Sequence, residues 1–287
     1  MWNITKFEIS YLLRRPATYI YFFILFLFAF LFIATDIVQI GGGIGKVNLN
    51  SPFVLFQASM ILTLVGTFIT TAIAGTAIIR DFQIKTHELF YTKPITKAQY
   101  LCGRFIGVVA IMLFAYSGIL FGLAFGELMP WVDAEQLGAF NFLTYWNSFL
   151  VFIFPNVLFI SALFFAVGTL TRNIFLVYVQ GIILIIAQTI AQTLTADLDN
   201  DRISSLIDPF GGEAFALVTK YWTVVEQNTL QLSFFDSYIF SNRILWIGIS
   251  LALFAITYIL FDFNVQPIGS RKAKKKNIQQ EEKEDAL

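Results

Sequence analysis

The fold is decided by residues 80–104, RDFQIKTHELFYTKPITKAQYLCGR, which separate two long hydrophobic stretches of the chain. This polar segment holds five basic residues, two acidic residues and one proline. The hydrophobic stretches on either side, 53–79 and 105–125, are each long enough to cross a hydrocarbon layer of about 30 Å at a helical rise of about 1.5 Å per residue. Residues 80–104 are therefore predicted to form a loop between two membrane spans.

The composition is typical of a chain whose main solvent is lipid. Hydrophobic residues make up 57% of the 287 positions, 33 residues are Phe, and only 13% are charged, which excludes a soluble single domain. The single Cys102 excludes an internal disulfide, and the single His87 excludes a site built from several histidines. No metal site is predicted.

Apolar runs mark six spans, so the predicted fold is all-α: a polytopic membrane protein with six transmembrane helices. The first span is not a cleavable signal peptide, because its apolar run exceeds the usual length of about 7 to 15 residues and because Thr35 and Asp36 follow it. The predicted spans are 17–38, 53–79, 101–125, 149–170, 174–194 and 244–261.

The distribution of basic residues predicts the topology. Of the 19 Lys and Arg residues, 15 fall on one side of the membrane in the six-span scheme, and the other four are Lys46, Arg202, Lys220 and Arg243. Since basic residues are in excess on the cytoplasmic side, both termini are predicted to be cytoplasmic. The predicted location is the inner (plasma) membrane.

The chain divides into three predicted parts. Residues 1–16 form an elbow helix in the membrane interface, with Ile4, Phe7 and Tyr11 on one face and the helix-breaking Pro16 at its end. The alternative for these residues is a frayed polar start. Residues 17–262 form the six-span domain, and residues 263–287 form a charged cytoplasmic tail.

Small residues recur at every fourth position in two spans. Such stripes let helix backbones approach closely in lipid, and packing within the chain is favoured over a subunit interface. The helix-packing residues are Thr67, Thr71 and Gly75 in the second span, and Gly118 and Gly122 in the third.

The fifth span carries three amides, Gln180, Gln188 and Gln192, on one side of the helix. Amides in hydrocarbon need hydrogen-bond partners. They are expected either to bond to neighbouring helices or to line a polar path. Charged residues are almost absent from the predicted spans, which argues against a proton relay.

The last outer connection, residues 195–243, is too long for a simple loop. Phe215, Val218, Trp222 and Val225 recur at helical spacing and predict an interfacial or re-entrant amphipathic helix. The acidic run DLDND at 197–201 lacks the glycine and distal glutamate of a calcium loop.

Two apparent catalytic motifs fail on inspection. The glycines before Lys46 resemble a phosphate loop, but Ile40 and Val47 occupy its essential first and last positions. His87 and Glu88 begin a zinc-protease pattern, but Tyr91 replaces its second histidine. Without a nucleophile and an identifiable base, the chain is not expected to be an enzyme, and no catalytic residue is predicted.

The loop between the second and third spans is predicted to contain a helix, a break and a second helix. Pro94 ends a short amphipathic helix at 82–91, and Thr96 with Gln99 forms a capping box that opens the next helix. The side chains of Leu89, Phe90 and Tyr91 can press into a groove of a cytosolic protein. The alternative is that this helix lies on lipid headgroups.

The run ELxYTxPITKxQYLxGRF, at 88–105, resembles the signature between the second and third spans of ABC transporter permeases of the type-2 exporter family. The segments DPFG from Asp208, WTxxExN from Trp222 and NRxxW from Asn242 resemble a bacterial branch of that family. Some members of this branch are fused to a zinc aminopeptidase.

The resemblance implies an elbow helix, a cytosolic coupling helix and outer re-entrant helices before the last span. It implies that a separate ATP-binding cassette ATPase subunit binds ATP and magnesium, so that this chain needs no cofactor. A second permease half, in a homodimer or a heterodimer, would complete the pathway in the lipid, and no nucleic acid is involved. The residues that would contact the ATPase are Glu88, Leu89, Phe90, Tyr91 and Pro94.

The function hypothesis is therefore a permease subunit that forms the pathway and couples to ATP hydrolysis in a partner. The alternative is a nonenzymatic membrane scaffold that recruits a cytosolic protein. The polar tail contains neither a second membrane half nor a peptidase, so the chain is expected to be a half-transporter or part of a longer product. The sequence does not indicate the substrate.

Overall fold

The computed structural model describes residues 1–35, 47–83, 95–195 and 201–262. Across these ranges the chain is helical and contains no strand, which confirms the predicted all-α class. The helices, numbered in chain order, are α1 Trp2–Leu13, α2 Pro16–Ala34, α3 Pro52–Val65, α4 Thr67–Ala74, α5 Thr76–Gln83, α6 Lys97–Gly126, α7 Phe142–Ser148, α8 Phe154–Thr171, α9 Ile174–Thr195, α10 Asp201–Ile207, α11 Gly212–Thr219, α12 Val224–Thr229 and α13 Ser237–Leu260. A π-helical turn, Phe149–Ile153, joins α7 to α8, and a 3₁₀ turn, Ala134–Gln136, precedes α7.

Within the described ranges, four helical segments are long and apolar enough to cross a membrane, and the number rises to five if α3 to α5 form one bent span. The four are Pro16–Ala34, Lys97–Gly126, Phe142–Thr171 and Ser237–Leu260. The fifth predicted span corresponds to α9, whose apolar part, Ile174–Ile190, is shorter than the others. The number of six spans therefore stays a prediction.

Helix α1 has a partly polar buried face. Thr5, Glu8 and Leu12 are buried, whereas Trp2 and Phe7 are 71% and 51% exposed. After α1 ends, α2 begins at Pro16, where a proline is tolerated because the first turn of a helix does not need its N–H.

Helices α2 and α6 pack closely along glycines of α6. A Cβ atom on Gly118 would lie 2.5 Å from the carbonyl oxygen of Phe22, and one on Gly122 would lie 2.3 Å from that of Phe26. Because these distances are too short for a carbon and an oxygen, the contact needs glycine at both positions. In this chain the two glycines pack against another helix of the same chain.

The second predicted span is bent by 47° between α3 and α4. The bend falls at Gly66, where a Cβ atom would lie 2.6 Å from the ring of Tyr116 in α6. The hydroxyl groups of Tyr116 and Thr70 are hydrogen-bonded at 2.8 Å. Packing against α6 therefore helps to fix the bend.

Small residues after the bend bring α4, α8 and α9 together. Thr67 and Thr71 are buried, and each hydroxyl donates to the carbonyl oxygen four residues earlier. A Cβ atom on Gly75 would lie 2.1 Å from the side chain of Val177, and one on Gly168 would lie 2.1 Å from the carbonyl oxygen of Gly75. The backbone at Gly75, directly after α4, therefore lies in close contact with α8 and α9.

Two helices begin earlier than the apolar runs predict. The predicted fourth span, 149–170, belongs to the longer segment Phe142–Thr171, and the predicted last span, 244–261, belongs to Ser237–Leu260. Polar residues such as Asn147 and Arg243 interrupt the apolar pattern in these first turns. Their side chains find partners inside the protein, so they do not end the helices.

Pro155 lies within the predicted fourth span and occupies the first turn of α8, directly after the π-helical turn. A π-helical turn changes the backbone hydrogen-bond pattern at the point where proline removes a donor.

The segment between α9 and α13 forms three short helices in the part of it that the structure describes, where the sequence predicts one. Phe215 and Val218 lie in α11, Val225 lies in α12, and Trp222 lies in the break between them. Thr223 and Glu226 form a capping box that starts α12. This local signal ends the longer helix that the apolar spacing predicts.

Candidate functional site

A buried charge cluster lies where α1 meets the end of α5 and the beginning of α6. It consists of Glu8 of α1, Arg80 and Asp81 of α5, and Tyr100 and Arg104 of α6. Each of the five residues is at most 8% exposed. The two acids balance the two arginines, which compensates for the removal of these charges from water.

Glu8 is the centre of the buried charge cluster. Arg80 Nη2 donates to Glu8 Oε2 at 2.9 Å and to Oε1 at 3.1 Å, and Arg104 Nη1 also donates to Oε2. Arg104 Nη2 and the Tyr100 hydroxyl both donate to Asp81 Oδ2, the latter at 2.7 Å. One continuous hydrogen-bond network therefore joins α1, α5 and α6.

Glycines of α6 allow α1 to reach this network. A Cβ atom on Gly103 would lie 2.8 Å from Cβ of Ile4, and one on Gly107 would lie 2.7 Å from Cβ of Glu8. Arg104 and Tyr100 are four residues apart and so share one face of α6. The predicted capping box of Thr96 and Gln99 opens this helix and is confirmed.

The buried charge cluster flanks residues 84–94, the segment that the sequence assigns to a partner. Arg80 and Asp81 lie in the last turns before this segment, and Tyr100 and Arg104 lie in the first turns after it. The two sides of the segment are thus tied to each other and to α1. The predicted coupling residues Glu88, Leu89, Phe90, Tyr91 and Pro94 lie outside the described residues.

The sequence reasoning missed this cluster. The sequence predicts a loop for Arg80 and Arg104, gives no role to Glu8, and predicts spans that are almost free of charge. Instead, Arg104 and Arg243 are fully buried inside long apolar helices. The available signal is Glu8, the single acid among the first 15 residues, whose other charged side chains are Lys6, Arg14 and Arg15.

A second polar site holds the DPFG turn, residues 208–211, against three helices. Both carboxylate oxygens of Asp208 accept hydrogen bonds within the turn and its neighbour α11: Phe210 N donates to Oδ1 at 2.8 Å, and Gly212 N and Glu213 N donate to Oδ2. Gln188 Nε2 of α9 donates to Oδ1 at 2.5 Å. Asp208 therefore closes the turn and fixes it to α9.

The NRxxW motif of α13 donates hydrogen bonds to the backbone of α10 and of the DPFG turn that follows it. Asn242 Nδ2 donates to the carbonyl oxygens of Ser205 and Asp208, at 2.6 and 2.8 Å. Trp246 Nε1 donates to the carbonyl oxygen of Leu206 at 3.0 Å. These contacts fix α10 and the DPFG turn to α13.

Arg243 is fully buried beneath the turn. It donates from Nη1 to Asn156 Oδ1 at 2.7 Å and from Nη2 to Asn242 Oδ1 at 2.6 Å. Gly211 has a φ of 83°, and a Cβ atom there would lie 1.9 Å from Arg243 Nη2. The left-handed backbone and the close guanidinium both require glycine at this position.

The predicted polar residues of the fifth span have different surroundings. Gln180 Nε2 donates to the carbonyl oxygen of Leu163 in α8 at 3.3 Å, and Gln188 bonds to Asp208 as described. The side chain of Gln192 lies outside the described residues. The first two amides thus bond to neighbouring elements.

A cavity of about 410 Å³ lies between α3, α9 and the DPFG turn with α11. Burial, together with the negative charge of Asp208, raises the pKa of Glu213 above its ordinary value. In contrast, hydrogen bonds from Thr223 lower the pKa of Glu226 on α12. The cavity is lined by Phe53, Gln57, Met60, Ile61, Leu64, Gln188, Asp208, Phe210, Gly212, Glu213, Phe215, Ala216, Thr219 and Gln227.

Metal ligands do not converge in the part of the chain that the structure describes: no three His, Cys, Asp or Glu side chains there are placed to hold an ion. The two polar sites are built from ion pairs, amides and backbone carbonyl groups. Such groups can hold helices in register and transmit force.

Comparison with known families agrees with the motifs. Residues 2–238 match the profile of the family described as ABC-2 family transporter protein, and a search of curated proteins gives no match. The match covers most of the chain, including the whole buried charge cluster and the DPFG turn, and it confirms the predicted resemblance at the level of the family. The chain therefore belongs to the ABC-2 family of transporter proteins and is a multi-pass membrane subunit of an ABC transporter.

Proposed function

We propose that this chain forms the translocation pathway of the transporter and is coupled through residues 84–94 to ATP hydrolysis in a separate nucleotide-binding subunit. The observation that carries this proposal is the buried charge cluster, which ties both sides of that segment to α1. ATP and Mg²⁺ are bound by the partner subunit, and this chain holds no cofactor. Both termini lie on the cytoplasmic side with residues 84–94.

Coupling requires that a force on residues 84–94 reach the membrane helices. Removing one partner of a buried ion pair costs about 3 to 5 kcal/mol, so the buried charge cluster resists separation of α5 from α6. Helix α6 in turn packs on α2 through Gly118 and Gly122. Movement of the segment is therefore passed to α1 and α2 as well as to the two helices that it connects.

Two permease halves, as a homodimer or a heterodimer, enclose the pathway in the proposed complex. Gln188 supports a location for the pathway near α9, because its side chain is buried and lines the cavity. Gln180 and Gln192 lie on the same helix. A transport-competent monomer that needs no ATPase would contradict this assembly.

The proposed contact is tested by reversing the charge of Glu88. The Glu88→Lys permease, co-purified with its ATPase subunit, is expected to lose about 2 to 5 kcal/mol of association free energy if this acid forms a buried pair. Lys85→Ala, on the same segment, is the control and is expected to have a smaller effect. Association and ATP hydrolysis equal to wild type in Glu88→Lys would favour the lipid-headgroup alternative.

A further inference from the structure

The cavity between α3, α9 and α11 combines an apolar wall with polar groups. Phe53, Met60, Ile61 and Phe215 supply large apolar side chains to its lining. A volume of about 410 Å³ is within the range of small-molecule sites. The polar residues of the lining then determine which molecules fit.

Two side-chain amide oxygens in this lining have no hydrogen-bond donor among the described residues. Gln188 is 4% exposed, and its Nε2 is used by Asp208, which leaves Oε1 unpaired among the residues described. Gln227 Nε2 donates to the carbonyl oxygen of Trp222 at 3.3 Å, and its buried Oε1 is unpaired in the same sense. Since buried polar atoms are normally satisfied, both oxygens indicate that a donor binds here.

Glu213 adds a negative charge to the same cavity. Its side chain is half-buried, and it forms no ion pair or side-chain hydrogen bond with the described part of the chain. The neighbouring Asp208 differs, because its two oxygens accept bonds from backbone N–H groups and from Gln188. Glu213 is therefore the carboxylate that is available to a ligand.

We propose that this cavity binds the protonated amine of an amphiphilic molecule, with Glu213 as its ion partner and Gln188 and Gln227 as acceptors for its N–H groups. The apolar body of the molecule packs against Phe53, Met60 and Phe215. This inference rests on the proposed transport function and names the substrate class of that pathway. An anionic molecule is disfavoured, because the cavity presents carbonyl and carboxylate oxygens to it.

The proposal is tested by probe binding to the full-length permease in lipid nanodiscs, without an ATPase. The probe is monodansylcadaverine, a fluorescent apolar group on a primary amine, and the matched probe is its N-acetylated form, which has no positive charge. The wild-type protein is expected to bind the amine about tenfold more tightly than the acetylated form, because a charge-assisted hydrogen bond is lost on acetylation. Glu213→Gln is expected to abolish this preference.

The matched control is Glu135→Gln, the same substitution at an exposed position in the 3₁₀ turn, which is expected to bind both probes like wild type. Gln227→Met removes one acceptor and is expected to weaken amine binding several-fold; it decides the question if Glu213→Gln aggregates. Equal binding of the two probes by wild type would overturn the proposal. So would a wild-type preference for the amine in Glu213→Gln, or wild-type amine binding in Gln227→Met. Because no ATPase is present, this failure would leave the Glu88 test of coupling unaffected.

Discussion

At the scale of the residue, two buried arginines differ in the charge of their hydrogen-bond partners. Arg104 bonds to two carboxylates, those of Glu8 and Asp81. The hydrogen bonds that Arg243 forms within the described chain go to neutral oxygens of amide and carbonyl groups. Removing a carboxylate partner of Arg104 therefore leaves a net charge in the buried charge cluster. Removing Arg243 instead leaves the amide oxygens of Asn156 and Asn242 without their charged donor.

Glu8→Gln is expected to destabilise the protein by about 3 to 5 kcal/mol, because it leaves two arginines facing one acid in the buried charge cluster. The double variant Glu8→Gln with Arg80→Gln restores the charge balance and is expected to unfold at a higher temperature than Glu8→Gln. Thermal unfolding of wild type, the two single variants and the double variant in the same detergent measures these differences. A double variant whose loss equals the sum of the two single losses would argue against a shared network.

Arg243→Met is expected to cost about 2 to 3 kcal/mol, since it leaves the amide oxygens of Asn156 and Asn242 without their charged donor. Lys220→Met is the control, because Lys220 is exposed at the end of α11. Chemical unfolding followed by tryptophan fluorescence compares the two. Equal stability would mean that Arg243 does not hold the DPFG turn in place.

At the scale of the element, glycine determines which helix surfaces meet. Gly118 and Gly122 lie directly against the backbone of α2, and Gly103 and Gly107 lie against α1. A Cβ atom on Gly248 of α13 would have no atom of the described residues within 4 Å. The two kinds of glycine provide a matched pair of substitutions.

Gly122→Ala is expected to destabilise the protein, because its Cβ would overlap the carbonyl oxygen of Phe26 and would force α2 away from α6. Gly248→Ala is expected to stabilise α13 by up to about 1 kcal/mol, since alanine has the higher helix propensity. Relative to wild type, the unfolding temperature is expected to fall in Gly122→Ala and to rise in Gly248→Ala. A loss of stability in both would contradict the open surface at Gly248.

At the scale of the whole molecule, the sequence predicts elements better than it predicts the contacts between them. The apolar runs identify the long helices, and Thr96 with Gln99 identifies the start of α6, because these are local signals. The buried charge cluster brings together residues 72 and 96 positions apart in sequence, and the DPFG turn depends on distant Asn242 and Arg243. Such pairs cannot be predicted from periodicity, so the sequence alone places in loops charges that serve as internal partners.

The predicted topology follows from the unequal distribution of basic residues and is tested by labelling. In a Cys102→Ser background, cysteines at Lys46 or Lys220 are expected to react with an impermeant maleimide in intact cells. Cysteines at Lys93 or Lys274 are expected to react only after the cells are opened. Labelling at Lys93 from outside would exclude the six-span topology with cytoplasmic termini.

The most direct test of the central proposal is photocrosslinking from residue 91. A benzoylphenylalanine in place of Tyr91, in a permease co-expressed with its ATPase subunit, is expected to form a covalent adduct with that subunit on illumination. The same group in place of Tyr221, which is 84% exposed between α11 and α12, is expected to form none, and Glu8→Gln is expected to reduce the adduct at residue 91. An adduct from residue 221 together with none from residue 91 would contradict coupling through residues 84–94.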